Sequence, residues 1–120
     1  MNDLHLSLSA QNDLKEIKAY ISEELGSPKA ALNTVARMTK AISRLREHAY
    51  IGTSLASITP MGKDYRFLVC GSYMVFYRVT GKAVYVDRVI YGRRDYISII
   101  MKDVHLEDML ADPEQGRGEV

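Results

Sequence analysis

Five arginines punctuate the stretch from Tyr65 to Tyr96: Arg66, Arg78, Arg88, Arg93 and Arg94. They stand among aromatic and β-branched residues, and Tyr91 and Tyr96 flank the last pair. A guanidinium is a permanent cation with a planar fork of donors, suited to carboxylate or phosphate groups. A small apolar sheet that carries this many of them predicts a surface that meets something anionic. Arg66, set beside Tyr65, and the Arg93–Arg94 pair are the candidate contacts, with Lys63 and Tyr96 next to them. Arg78 and Arg88 read as structural, and Asp87 is available as a partner.

Other chemistries find no footing. His5, His48 and His105 are far apart and lack metal-ligand spacing. No CxxC, HExxH, Gly-rich phosphate loop or Ser-His-Asp order is present, and Gly71-Ser72 reads as turn chemistry. No metal or cofactor is expected. Cys70 is the one cysteine. It cannot form an internal disulfide and reads as a small buried hydrophobe, which fits a reducing cytosol. No apolar run is long enough for a transmembrane helix, and Met1–His5 lacks the basic start of a secretory signal. A cytoplasmic protein without membrane contact is the expectation.

Net charge is +1, but it is unevenly distributed. Residues 61–102 carry eight basic and three acidic groups, whereas residues 103–120 carry one basic and six acidic. A basic sheet is thus followed by an acidic tail. Hydrophobic content of 47% and charged content of 26% over 120 residues predict one soluble domain with one core. That domain is placed at 1–111. Residues 112–120, polar and rich in Gly and Pro, are expected to be a disordered tail.

The elements that must position the arginines can be read from periodicity. Leu4, Leu6 and Leu8 alternate with His5, Ser7 and Ser9, predicting a short strand. Ser9 is the expected N-cap of a first helix from about Ala10 to Leu25, with Leu14, Ile17, Ile21 and Leu25 on one side. Gly26 ends it, Ser27 caps the next helix, and Pro28 suits its first position. The second helix is expected to run to about His48. Ala31, Val35, Met38, Ile42 and Leu45 form its apolar stripe. Asn33, Arg37, Lys40 and Arg44 fall on nearly the opposite side and read as a solvated face. The two-residue link implies an antiparallel hairpin.

Residues 49–64 have no clear period and are expected to hold a short strand within Thr53 to Ile58. Strands then follow at Tyr65–Cys70, Tyr73–Val79 and Ala83–Tyr91, joined by Gly71-Ser72 and Thr80-Gly81-Lys82. Both faces are apolar, so the sheet should be covered at least partly on each side. Asp95 is placed to cap a short third helix with Ile97, Ile100, Met101 and Val104 on its apolar face. The resulting class is α+β: an N-terminal strand and helical hairpin packed on a small antiparallel-rich sheet, closed by a short C-terminal helix.

Three motifs in this order resemble the RelE/ParE superfamily, the toxins of bacterial type II toxin–antitoxin modules. They are Leu8-Ser9-Ala10 with Asp13-Leu14, Ile17 and Tyr20-Ile21; Tyr73 to Val79; and Arg88-Val89-Ile90-Tyr91-Gly92-Arg93-Arg94-Asp95. The resemblance covers about residues 4–102. It implies a growth-arresting toxin neutralised by a cognate antitoxin, as a homodimer or in a toxin–antitoxin hetero-oligomer. RelE-like members cleave mRNA on the ribosome without a metal. Such cleavage needs a group to activate the ribose hydroxyl, a cation for the phosphorane charge and a donor for the leaving oxygen. ParE-like members share the fold but poison DNA gyrase.

Carried over residue by residue, the RelE pattern matches Arg66 and Arg94, with Arg93 before it. It meets Leu68, Met74 and Ile100 where two basic residues and a tyrosine are usual. If the chain were RelE-like, the catalytic set would be Arg66, Arg94 and Tyr91. The helix start and Gly92-Arg93-Arg94-Asp95 look more ParE-like, so gyrase inhibition is the first expectation and mRNA cleavage the alternative. In either case Arg66, Arg93, Arg94, Tyr96 and Lys63 are the expected target- or nucleic-acid-binding residues.

Overall fold

A computed structural model describes residues 1–59 and 64–100. In chain order it holds β1 (Asp3–Leu6), α1 (Leu8–Ala19), α2 (Pro28–Ser43), β2 (Thr53–Ser54), β3 (Arg66–Cys70), β4 (Tyr73–Thr80) and β5 (Ala83–Tyr91). Residues 96–100 are helical at the end of the described chain. Lys63, the acidic tail and the Met101 and Val104 positions of the third helix lie outside the described residues. None of the described helices is long and apolar enough to cross a membrane.

The sheet order is β1-β5-β4-β3-β2. β1 runs parallel to β5, and the remaining neighbours are antiparallel. Gly71 and Gly81, both at φ +59, supply the left-handed residue that each tight hairpin requires. The class is α+β, as expected.

Alternation along β4 builds two cores, one on each face. Val75 and Tyr77 point toward the helices and pack with Ala10, Met38, Ile42 and Leu45. Met74 and Phe76 point the other way and pack with Leu55, Phe67, Ile90 and Ile100. The helix opened by Asp95 seals this second core: the Ser98 N–H and hydroxyl both donate to the Asp95 carboxylate, at 3.3 and 2.8 Å.

A β-bulge interrupts β5. Phe76 pairs with Arg88 while Tyr77 pairs with Val86, so Asp87 has no opposite number. The extra residue reverses the alternation. Val84 and Val86 face the helices before it, and Val89 does so after it. The Asp87 carboxylate holds Arg78 at 2.6 Å, the expected pairing. Arg88 instead takes Asp13 of α1.

The helical hairpin departs from expectation at both ends of α1. Ser7, not Ser9, is the N-cap: its hydroxyl accepts from the Ala10 N–H at 2.9 Å and donates to the Asp87 carbonyl at 2.7 Å. The helix therefore starts earlier, turns Leu8 to solvent and brings small Ala10 against the sheet. At the other end the chain widens into a π turn over Tyr20–Glu24, closed by the Leu25 N–H on the Tyr20 carbonyl at 3.2 Å. This rotates Leu25 out of the seam, so Ile21 is 7% exposed but Leu25 is 60% exposed. Gly26 (φ +64), Ser27 and Pro28 then start α2 as expected. α2 ends at Ser43, sooner than the His48 expected, and a 3-10 turn over Arg44–Arg46 carries Leu45 into the core.

Gly52 has no room for a side chain. A Cβ there would meet the Tyr77 hydroxyl at 2.6 Å and the Phe67 carbonyl at 2.7 Å. The Gly52 N–H also donates to the Tyr77 hydroxyl at 2.9 Å. Gly52→Ala is expected to destabilise the fold by about 1–3 kcal/mol, the range for overpacking a filled site. An unchanged urea midpoint would show that the loop yields instead.

Candidate functional site

α1 presents Asp13, Glu16 and Ile17 along one side, and Tyr20 at the start of the π turn continues the row, at the three- and four-residue spacing of neighbours on a helix. Opposite them, β4 and β5 pair Tyr73 with Tyr91, which puts both rings on one face with centroids 5.8 Å apart. The turn after β5 closes the end. The Gly92 N–H donates to the Ser72 carbonyl (2.8 Å), and the Arg94 N–H to the Tyr91 carbonyl (3.0 Å). Together with Leu25, turned outward by the π turn, these residues and Arg94 line a groove of about 450 Å³. A second hollow of about 300 Å³ shares Leu25 and Tyr73 and extends the groove toward Arg37 and Cys70.

The electrostatics of the groove are simple. Asp13 is neutralised: its carboxylate accepts from Arg88 Nε and Nη2 at 2.8 and 3.0 Å and from the Val89 N–H at 2.9 Å. Glu16 and Arg94 are the other charged side chains of the lining. Burial pushes the Tyr73 phenol above its ordinary pKa, and the neighbouring Tyr91 and Tyr20 push the same way. Tyr73 therefore stays protonated at neutral pH and can donate a hydrogen bond. Three phenols, three aliphatic side chains and one exposed guanidinium, with Glu16 on the α1 side, make a surface suited to an amphipathic segment whose acidic group meets Arg94, the composition typical of interface anchors.

Tyr91 and Arg94 are thus brought together, with Arg93 exposed beside them. Arg66 is elsewhere. It pairs with Tyr77, four residues along β4 from Tyr73, or about 13 Å at strand rise. Its guanidinium is engaged: Nε and Nη2 donate to the Gly52 carbonyl at 3.1 and 2.9 Å, and Nη2 to the Tyr50 carbonyl at 3.3 Å. It also lies over the Tyr50 ring, 5.3 Å from the centroid. Tyr96 stacks on Phe76 at 5.4 Å against the second core. The guanidiniums do not converge on one concavity: Arg78 and Arg88 are in ion pairs, Arg66 anchors a loop, and Arg94 reaches the groove.

Tyr20, Tyr73, Asp13 and Glu16 were not among the expected site residues. The register that joins Tyr73 to Tyr91 depends on the bulge at Asp87, which no glycine marks. Leu68 packs against the first core, and Met74 (8% exposed) and Ile100 (1%) lie in the second.

The family model for the ParE toxin of the type II toxin–antitoxin system parDE matches residues 4–96. Among solved structures, a chain of the chromosomal ParDE toxin–antitoxin system from P. aeruginosa superposes with a TM-score of 0.63 at 25% identity. That alignment covers 76% of this chain and 96% of the other. YafQ from E. coli strain BL21(DE3) has a TM-score of 0.50 at 13% identity, covering 76% of this chain and 93% of its own, and shares the fold. No curated protein matches by sequence. Helical hairpin, five-stranded sheet and Gly-Arg-Arg turn all lie within the matched residues or adjoin them, and the chain belongs to the ParE toxin family of type II toxin–antitoxin systems.

Proposed function

We propose that this toxin arrests growth by acting on DNA gyrase and not by cutting mRNA, and that it works in the cytoplasm. The observation that carries the reading is the packing of Leu68 against the first core and the burial of Met74 and Ile100 in the second. These are the positions where an mRNA-cleaving relative would place basic or phenolic groups. Apolar side chains packed into a core have no proton to transfer and no charge to offer a phosphorane. Arg66, the matched cation, already donates to two backbone carbonyls. Tyr91 and Arg94 remain, which is too small a set for general acid–base cleavage.

A type II toxin has a cognate antitoxin. In our reading the antitoxin, like the target, engages the tyrosine groove, with an acidic residue opposite Arg94. Induced expression of the toxin without antitoxin tests the target. SOS induction and gyrase trapped on DNA are expected within the first generations. Codon-phased mRNA ends by primer extension, with no SOS response, would reverse the assignment.

A further inference from the structure

We propose that the outward face of α2 docks on the phosphate backbone of duplex DNA. Between Glu24 and Glu47 the chain has five basic residues and no acidic one. Four of them, Lys29, Arg37 and Lys40 of α2 and Arg44 at its helical C-cap, fall within an arc of about 80° at 100° per residue. That arc lies opposite the buried stripe of Ala31, Met38, Ile42 and Leu45, and all four cations are exposed. From Lys29 to Arg44 the stripe is about 22 Å long at 1.5 Å per residue. None of the four is in an ion pair among the described residues, in contrast to Arg78 and Arg88.

An isolated row of like charges along a helix repels itself and is compensated best by a regular anion. A nucleic-acid backbone offers such a row, with charges at close, even spacing. Asn33 and Thr34 beside Arg37 add neutral groups that can donate to phosphate oxygens. The face carries no aromatic ring between Lys29 and Arg44, so it lacks the stacking platform that single strands use. A duplex read through its backbone fits this chemistry. The choice of DNA over RNA rests on the gyrase reading, because gyrase holds duplex DNA. The binding step itself needs no gyrase.

Fluorescence anisotropy with the full-length toxin and a labelled 30-base-pair DNA duplex tests this, with an RNA duplex of the same sequence alongside. Four phosphate contacts predict a log–log salt slope of about −3.6, or about a hundredfold loss between 50 and 200 mM salt. Arg37→Ala/Lys40→Ala/Arg44→Ala should flatten the slope by about 2.7 and weaken binding at least about tenfold at 50 mM salt. Lys82→Ala, in the exposed β4–β5 turn, should change the slope by less than about one. Should the triple variant fail to fold by circular dichroism, Arg37→Glu and Lys40→Glu singly give the same readout. Three results would each overturn the proposal: no duplex binding at 50 mM salt, wild-type slope and affinity in the α2 variants, or tighter binding to the RNA duplex. Any of them leaves the gyrase reading standing, since that reading is judged by SOS induction and mRNA ends.

Discussion

Replacing Asp13 with alanine should destabilise the protein by about 3–5 kcal/mol, the cost of leaving one half of a buried ion pair without its partner. The Asp13 and Arg88 side chains are 12% and 18% exposed, so solvent screens the pair little. The carboxylate also satisfies the Val89 N–H, two residues past the bulge. Alanine would therefore take two charge-assisted contacts from Arg88 and leave the Val89 N–H without its acceptor. Domains of this size have only about 5–15 kcal/mol of stability, so the variant should show a much lower urea midpoint or fail to accumulate. Arg88→Met in the same chain should recover part of the loss by removing the charge that Asp13 balances. A single Asp13→Ala variant that melts within a degree of wild type would show that water replaces the carboxylate, and that α1 is not pinned to β5 there.

Arg94→Ala should leave stability within about 0.5 kcal/mol, because the side chain is exposed and is not in an ion pair among the described residues. Its effect should appear in binding. An arginine at the rim of an aromatic groove, desolvated by a partner, is the kind of residue whose truncation costs about 2 kcal/mol or more. Antitoxin affinity, read by titration calorimetry, should fall about thirtyfold at that energy. Tyr91→Ala should act in the same direction. Antitoxin affinity within threefold of wild type for both variants would remove the groove from the interface. Arg66→Ala offers the contrast. It removes donors to the Gly52 and Tyr50 carbonyls, so its effect should be on melting temperature first.

Most of the fold was legible because period and punctuation agreed. The α2 stripe from Ala31 to Leu45, the Gly26-Ser27-Pro28 link, and the Gly71 and Gly81 turns each had a local physical cause that tertiary structure did not override. The start of α1 was misplaced because Ser7 and Ser9 are equally good caps in isolation. Only the Asp87 carbonyl, eighty residues away, decides between them. The π turn left no mark on residue types, since Ile21 and Leu25 satisfy an ordinary helical spacing. The site was half legible. Tyr91 and Arg94 belong to a recognisable turn, whereas their companions on α1 and β4 come together only through the register of β5. Arg66 could not be placed from sequence, because a half-buried arginine that holds a loop and one that awaits an anion have the same neighbours there. A donor fork satisfied by two carbonyls can be told apart only in three dimensions.

The odd residue in the last strand limits how this gene can change. Excising the Asp87 codon would leave Val84, Val86 and Val89 on one face as an unbroken alternation, but it would take away the carboxylate that holds Arg78 and the carbonyl that receives the Ser7 hydroxyl, so the start of α1 would lose its anchor on the strand.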